Sequence, residues 1–177
     1  MVRQRIQVST PLADETIAGL KAGDMVELSG VIYTGRDAAH KRMTDQLDKG
    51  EALPFDFHVL VIYYAGPCPN RPDQVIGSVG PTTSGRMDAY SPALIKQGLK
   101  AMIGKGLRNQ EVIDAITEQG GIYFAAIGGA AAYMARCVKS VEVIAYEDLG
   151  TEAIRRLVVE NMRLMVAIDA KGNNLYD

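Results

Sequence analysis

Residues 80–88, with the sequence GPTTSGRMD, place three hydroxyl groups and one arginine within a short segment. Pro81 has no backbone N–H, and the two glycines can adopt backbone angles closed to other residues, so we expect a sharp turn after a strand at 75–79. The hydroxyls and the N–H groups of a following helix would then face one pocket. There Arg86 can pair with both oxygens of a carboxylate or phosphate. The segment predicts an anion site, and a Ser/Thr-rich capping turn with a solvated arginine is the alternative interpretation.

Two other segments repeat the combination of glycine and a cation. Residues 29–40 (SGVIYTGRDAAH) predict an apolar strand that ends in glycine, with Arg36 and Asp37 at the start of a helix. Residues 102–106 (MIGKG) place Lys105 between two glycines after an apolar run. A substrate with two carboxylates would match this set, because each carboxylate can take one planar guanidinium and the lysine adds a point charge.

These segments resemble the β subunit, or C-terminal domain, of the class I iron–sulfur fumarases and the related L-tartrate dehydratases. The resemblance is carried by residues 29–43 (SGVIYTGRDAAHKRM), 80–90 (GPTTSGRMDAY), 103–106 (IGKG), 141–160 (VEVIAYEDLGTEAIRRLVVE) and 171–176 (KGNNLY). It covers nearly the whole chain. The first two segments at this separation are the specific part of the match, and IGKG alone would be weak.

The resemblance implies that this domain grips a four-carbon dicarboxylate, while a separate domain or subunit holds a [4Fe–4S] cluster through three cysteines. By motif position, it implies that Arg36, Thr82, Arg86 and Lys105 contact the substrate, with Thr82 and Lys105 as the candidate catalytic residues. Thr82 either takes the substrate proton or only positions the substrate. An isolated threonine is a poor base unless a nearby cation lowers its pKa, so both roles stay open.

Three further residues are expected to hold these cations in place without contacting the substrate themselves. Asp37 and Asp88 each follow an arginine closely, so we expect each to cap a helix or to hold that arginine in place. His40 falls one helical turn beyond Arg36 and is a candidate for the same supporting role, although a lone histidine on an early helical turn is more often structural.

Composition predicts one globular domain over residues 1–177. Hydrophobic residues make up 47% of the chain and charged residues 23%, and a chain of 177 residues can bury roughly 70% of its unfolded surface. The net charge of −2 gives no reason to expect nucleic acid or an anionic membrane as a partner. The first residues contain no apolar signal-peptide core, and no segment approaches the ~20 apolar residues of a membrane span, so we expect a cytoplasmic protein with no membrane partner.

The cysteines limit what this chain can hold. Cys68 and Cys137 are the only two in the sequence, and neither lies in a C-x-x-C pair, so neither a disulfide framework nor a zinc knuckle is indicated. Two cysteines also fall short of the three that the resemblance requires for its cluster. We therefore expect no metal on this chain and a cluster-bearing α subunit as its partner, in a hetero-oligomer for which a dimer of heterodimers is one arrangement.

Hydrophobic periodicity predicts a mixed α/β fold in a single layered domain, and the swivelling β/β/α layer order is implied by the resemblance alone. The front of the chain looks antiparallel, and its middle alternates strand and helix as a parallel sheet would. The expected strands are 6–9, 24–33, 57–64, 101–103, 122–127, 141–146 and 164–169. The expected helices are a short turn at 14–20 and longer helices at 37–49, from 92 to 97 or 100, at 110–118 and at 130–139. Residues 150–160 are expected to be irregular or partly helical, with an added strand at 157–159 as an alternative. Gly128 and Gly129, ahead of one of these helices, could bring N–H groups to an anion, although close packing is the favoured interpretation.

Three functions are compatible with these observations. The first is the β subunit of a two-chain hydro-lyase that reversibly hydrates fumarate to L-malate. L-tartrate dehydratase is a close alternative, since its substrate is also a four-carbon dicarboxylate, and mesaconate is a further possible substrate. A cluster-free module that binds dicarboxylates is the alternative from another class.

Overall fold

The computed structural model of the protein describes residues 4–126 and 131–177. Its strands are β1 (Ile6–Ser9), β2 (Met25–Thr34), β3 (Leu60–Tyr63), β4 (Leu99–Gly104), β5 (Ile122–Ala126), β6 (Val138–Ala145) and β7 (Ile154–Ile168). Its α-helices are α1 (Asp14–Gly19), α2 (Asp37–Asp48), α3 (Ser91–Lys96), α4 (Gln110–Gln119) and α5 (Ala131–Cys137). Two 3-10 segments, Ser84–Met87 and Glu147–Glu152, are called the 84–87 turn and the 147–152 turn below.

The seven strands form one sheet in the order β1-β2-β3-β4-β5-β7-β6, and β2 also pairs with β7. Strands β2, β3, β4 and β5 run parallel to one another, whereas β7 is antiparallel to both β2 and β5. Because β7 pairs with the first and the last of the parallel strands, these five strands close into a small barrel-like ring. The predicted mixed α/β fold is confirmed.

Alternate residues of the ring strands face two separate hydrophobic clusters. On β3, Val61 and Tyr63 belong to a cluster fed by all five ring strands, whereas Ile62 belongs to a second cluster that contains residues of α2, α3 and α4. All three side chains are at most 2% exposed. A strand covered on both faces has a continuous apolar sequence instead of an alternating one, which explains the run LVIY.

Two expectations about the strands were wrong. The front of the chain is parallel, since β1 pairs parallel with β2, and β2 with β3. The segment expected to be irregular or partly helical at 150–160, with a strand only as an alternative at 157–159, contains the first half of β7, a strand of 15 residues. Charged residues on the exposed positions of β7 conceal its alternating burial, so its apolar residues look too sparse for a strand.

The loop that precedes the 84–87 turn also differs from expectation. Residues 75–79 form no strand, and 57–64 yields only the four residues of β3. Instead, the N–H of Cys68 donates to the carbonyl of Ser78 at 2.9 Å, and the carbonyl of Cys68 fills the space that a side chain at position 77 would need. Val79 is fully buried in the ring cluster, which is why this loop looks apolar in the sequence.

Helices α2 and α4 begin and end within one residue of their expected positions, whereas α3 ends at Lys96 and residues 99–100 already belong to β4. Pro92 lies in the first turn of α3, and Asn109 caps α4 by accepting the N–H of Val112 at 3.0 Å. Helix α5 is described from Ala131 onward, and Gly128 and Gly129 lie outside the described residues. Within the described part of the chain, none of the helices has the length and apolarity needed to cross a membrane.

Candidate active site

The carboxyl ends of β2, β3 and β4 bring the predicted site residues to one edge of the sheet. Arg36 follows β2, and the N–H of the preceding Gly35 donates to the carbonyl of Tyr63 at 3.1 Å. Lys105 follows β4. Ligands of α/β proteins bind at the carboxyl ends of parallel strands, because the loops that leave those strands converge there.

The segment 80–88 joins this edge through its backbone. The N–H of Thr82 donates to the carbonyl of Tyr64 at 2.7 Å, and the N–H of Ser84 donates to the carbonyl of Lys105 at 2.8 Å. Thr83 pairs with Lys105 as an isolated parallel bridge. Thr82 and Lys105 therefore lie on adjoining stretches of backbone, although they are 23 residues apart in the sequence.

The close approach of this turn to β4 explains a glycine. A side chain at Gly104 would collide with the hydroxyl oxygen of Ser84 and the ring of Tyr64. The first glycine of the IGKG motif therefore lets the 84–87 turn lie directly against β4, next to Lys105.

Asp37 connects the two arginines. The Nε of Arg86 donates to Oδ1 of Asp37 at 2.8 Å, and a terminal nitrogen of Arg36 lies 3.7 Å from Oδ2 of the same carboxylate. The segments at 29–40 and 80–88 are therefore in direct contact, because an arginine from each faces the carboxylate of Asp37.

Arg36 faces a second carboxylate on its other side. Its Nε lies 3.9 Å from Oε1 of Glu152, in the 147–152 turn. That Nε is buried and makes no hydrogen bond with any residue the structure describes. The side chain of Arg36 runs alongside Gly66, where a Cβ would come within 3.1 Å of its Cδ.

Two other candidates have no side-chain partner. Within residues 4–126 and 131–177, the ammonium of Lys105 and the hydroxyl of Thr82 make no hydrogen bond or ion pair, and Lys105 is exposed. The side chain of Arg86 is 55% exposed. These polar groups lie on an open face, and they are free to bind an anion that arrives from solvent.

His40 lies behind Arg36 and is buried. Its Nδ1 is 2.8 Å from the carbonyl of Arg36, which can only accept, so Nδ1 carries the proton and Nε2 is an unprotonated acceptor. Burial is the largest cause that lowers the pKa of His40, to about 4, and the charge of Arg108 acts in the same direction. Its edge packs on the ring of Tyr64 at 5.3 Å. His40 is thus a neutral group that fixes the backbone of Arg36.

One cavity of the structure lies away from the candidate cations. It has a volume of about 480 Å³ and is lined by residues of the 74–78 loop and the region of α5, with none of the candidate cations among them.

A family model described as Fumarase C-terminus matches residues 2–177. The chain belongs to the fumarase C-terminal domain family.

Individual relatives of this family agree. The chain is 38% identical to "Fumarate hydratase class I, aerobic" of Salmonella typhimurium, over 97% of this chain and 30% of that protein. It is 40% identical to the protein of the same name from Escherichia coli K12, over 97% of this chain and 32% of that protein. It is also 40% identical to "Putative L(+)-tartrate dehydratase subunit beta" of Methanocaldococcus jannaschii, over 94% of this chain and 88% of that protein. The chain therefore spans about a third of the length of these fumarate hydratases and most of the length of the tartrate dehydratase subunit.

In this member of the fumarase C-terminal domain family, no pattern in the sequence indicated a role for Arg108. Its guanidinium is fully buried, and its Nε donates to Oδ1 of Asp88 at 2.6 Å. A terminal nitrogen donates to the hydroxyls of Ser91 at 2.9 Å and Tyr64 at 3.1 Å. The guanidinium also lies over the ring of Tyr123, 4.9 Å from its centre. Asp88 thus holds a different arginine from the one expected.

This buried cluster anchors the 84–87 turn at both ends. At the start of the turn, the hydroxyl of Tyr123 donates to Ser84 at 2.8 Å. At its end, Asp88 is held by Arg108 and also accepts the N–H of Asn109 at 2.7 Å. Arg108 lies three residues after Lys105, and its partner Asp88 lies two residues after Arg86. This buried ion pair therefore holds together the two backbone segments that carry Lys105 and Arg86.

The residues of this family member do not fit the ligand set of an iron–sulfur cluster. Both cysteines are free thiols, with Cys68 exposed and Cys137 buried. Among the described residues, no group of three or more histidine, cysteine, aspartate or glutamate side chains could hold a metal ion.

Proposed function

We propose that this chain is the β subunit of a class I fumarase-type hydro-lyase, and that it supplies the groups that bind a four-carbon dicarboxylate. The observation that carries the proposal is the pairing of Arg36 and Arg86 on Asp37, in a chain of the fumarase C-terminal domain family. The backbone of Lys105 lies against the segment that carries Arg86, through its bridge with Thr83. The reaction proposed is the reversible hydration of fumarate to L-malate.

The arginines are suited to hold the two carboxylates. In each, the Nε side faces an internal carboxylate, Glu152 for Arg36 and Asp37 for Arg86. The terminal nitrogens of both arginines make no hydrogen bond with the described residues, although one of Arg36 lies 3.7 Å from Oδ2 of Asp37, so their donors remain for the ligand. Two parallel N–H donors match the two oxygens of a carboxylate. Lys105 adds a positive charge that keeps the site cationic against the two internal acids.

The same cations stabilise the charge that develops during the reaction. When malate is dehydrated, the carbon beside one carboxylate loses a proton, and hydroxide leaves from the neighbouring carbon. Part of the negative charge then moves onto the oxygens of that carboxylate. A cation fixed beside those oxygens favours the transition state over the ground state, and we assign this role to Arg36, Arg86 and Lys105.

Thr82 lies within this cationic edge and makes contact with the substrate in the proposal. Its backbone is fixed by Tyr64, so its hydroxyl has a defined position. The hydroxyl either takes the carbon-bound proton or only orients a carboxylate, and exchange of that proton with solvent distinguishes the two roles. The cluster is assigned to an α subunit, and no step in this chain depends on it.

L-tartrate dehydration is the second candidate. It is favoured by the Methanocaldococcus jannaschii relative, whose length this chain covers to 88%. Tartrate carries the same two carboxylates as malate and one more hydroxyl, so the same clamp would hold it.

Anaerobic co-purification with the cluster-bearing chain tests the proposal. We expect the purified chain alone to be colourless and inactive, and the complex to convert fumarate with a higher kcat/KM than L-tartrate. The opposite preference would move the assignment to tartrate dehydratase. Hydration of fumarate by the chain alone, in the absence of iron, would contradict the proposal that the cluster lies on a separate subunit. Dicarboxylate binding without activity in any complex would favour a binding module.

A further inference from the structure

Glu152 lies in a turn far along the chain from the predicted motifs, yet its carboxylate reaches the start of α2. Its Oε1 accepts the N–H of Ala38 at 3.3 Å and lies 3.9 Å from Nε of Arg36. Arg36 occupies the N-cap position of α2 and provides no side-chain cap. A carboxylate at a helix N-terminus compensates free N–H groups and the helix dipole, so Glu152 supplies from outside the cap that α2 lacks.

The turn that carries Glu152 is firmly anchored. Arg42 of α2 binds Asp148 through two hydrogen bonds of 2.7 Å each. Arg155 donates to the carbonyls of Gly150 at 2.9 Å and Thr151 at 3.1 Å. Because the turn is fixed to α2 and to the start of β7, Glu152 is a built-in part of the surroundings of Arg36.

The geometry of Arg36 shows what this carboxylate can do. The Nε is buried, so a ligand from solvent cannot reach it. The acidic oxygen that faces this atom belongs to Glu152, whereas Oδ2 of Asp37 faces a terminal nitrogen at 3.7 Å. Arg86 repeats the arrangement with its Nε on Asp37.

We propose that Glu152 is a positioning residue for Arg36: its carboxylate holds the Nε side of the guanidinium and the first turn of α2, so that the terminal nitrogens face the substrate carboxylate. The inference rests on the proposed function for its substrate, and on the contacts of Arg36 alone for its geometry. It adds the 147–152 turn to the site and gives each arginine its own orienting acid.

The test compares two substitutions in the same turn. Glu152→Gln removes the charge but keeps the size and an oxygen that can accept the N–H of Ala38. Glu147→Gln removes an exposed charge of the same turn that makes no side-chain hydrogen bond or ion pair with the described residues, and is the matched control. Thermal unfolding of both variants establishes that they are folded. The Nε–Hε signal of Arg36, assigned by its loss in Arg36→Lys, then reports the order of that group in ¹⁵N NMR relaxation.

We expect Glu152→Gln to increase the mobility of the Nε group of Arg36. We also expect it to raise the Kd for L-malate on the order of tenfold, which is a typical coupling between two residues in contact, here Glu152 and Arg36. Glu147→Gln should change neither. Unchanged ¹⁵N relaxation of the Arg36 Nε–Hε group in Glu152→Gln would overturn the proposal. Greater mobility of that group with unchanged malate affinity would overturn it as well. Tighter malate binding in Glu152→Gln would also overturn it, and would show Glu152 to be an internal carboxylate that competes with the ligand.

The two proposals fail in different ways. If the wild-type chain binds neither L-malate, fumarate nor L-tartrate, alone or in its complex, the proposed function is wrong. Loosening of the Nε group of Arg36 by Glu152→Gln would still support the positioning role in that case.

Discussion

The Nε of Arg86 donates a 2.8 Å hydrogen bond to Oδ1 of Asp37, across 49 residues of sequence. This contact joins the two motifs that the sequence singled out, one at the carboxyl end of β2 and one in the 84–87 turn. It also fixes which side of the guanidinium can meet a ligand. The predictions below follow from this arrangement and from the buried cluster beneath it.

Replacing either arginine of the clamp by lysine tests its geometry. Arg36→Lys and Arg86→Lys keep the charge but lose the planar pair of donors, so we expect a loss of about 2–4 kcal/mol in transition-state stabilisation. The measurement is kcat/KM for fumarate in the complex with the cluster-bearing chain. Arg136→Lys, an exposed arginine that lines the cavity beside α5, is the control. A clamp variant that stays within a few-fold of wild type would remove that arginine from the site.

The ion pair between Asp88 and Arg108 should dominate the stability of the 84–87 turn. Asp88→Asn leaves the fully buried guanidinium of Arg108 without its counter-charge, and we expect a cost of about 3–5 kcal/mol in the free energy of unfolding. Urea unfolding measures this cost. Asp45→Asn breaks the exposed pair with Lys41 and should have a much smaller effect, because water and salt screen an exposed pair. Equal effects of the two substitutions would mean that the buried pair has no special weight.

His40 predicts a pH dependence of stability. Burial lowers its pKa from 6.5 to about 4, so between these values the unfolded chain binds a proton that the folded chain does not. Stability should therefore fall as the pH drops from about 6.5 towards 4, by on the order of 3 kcal/mol from this group. His40→Gln should flatten that part of the curve of unfolding free energy against pH.

A direct readout of the same effect is the ring signal of His40. We expect its C2 proton to keep one chemical shift from pH 8 down to pH 5, with the exposed His58 as the comparison signal. A titration of His40 near pH 6.5 would show that its ring is accessible to water and that Arg36 is held in another way.

The sequence predicted most of what is local. A glycine beside a cation at the end of an apolar run marked the edge of the sheet correctly for Arg36 and Lys105, because strand, turn and helix start are specified by neighbouring residues. The partner of Asp88 was missed, since Arg108 is buried among residues that lie far from it in the sequence, Tyr64 and Tyr123 among them.

The contribution of the chain's last third was missed for a related reason. The alternation of β7 is interrupted by charges and by Asn161, whose φ of 51° places it in the left-handed region. The closure of the ring by β7 depends on pairing with β2 and β5, and no local pattern records such pairing. Glu152 reaches Arg36 only as a result of that closure.

The final prediction concerns the hydroxyl of Thr82, whose backbone is held by the carbonyl of Tyr64 beside Lys105. We expect it to position the substrate, because a threonine alkoxide is costly to form and the α subunit can carry a better base. Thr82→Ser keeps the hydroxyl and should then retain most of the wild-type activity. Thr82→Val removes the hydroxyl and should raise KM as well as lower kcat. Thr83→Val, at the exposed neighbouring hydroxyl, is the control.

The opposite role would give a different pattern. If the Thr82 hydroxyl takes the proton, Thr82→Val should leave KM near normal and lower kcat by several orders of magnitude, since a base acts mainly in the transition state. Exchange of the carbon-bound proton of malate with deuterated solvent, followed by NMR in the complex, decides between the two. Rapid exchange that persists in Thr82→Val establishes that the base is another group, whereas its loss with unchanged malate affinity would make Thr82 the base.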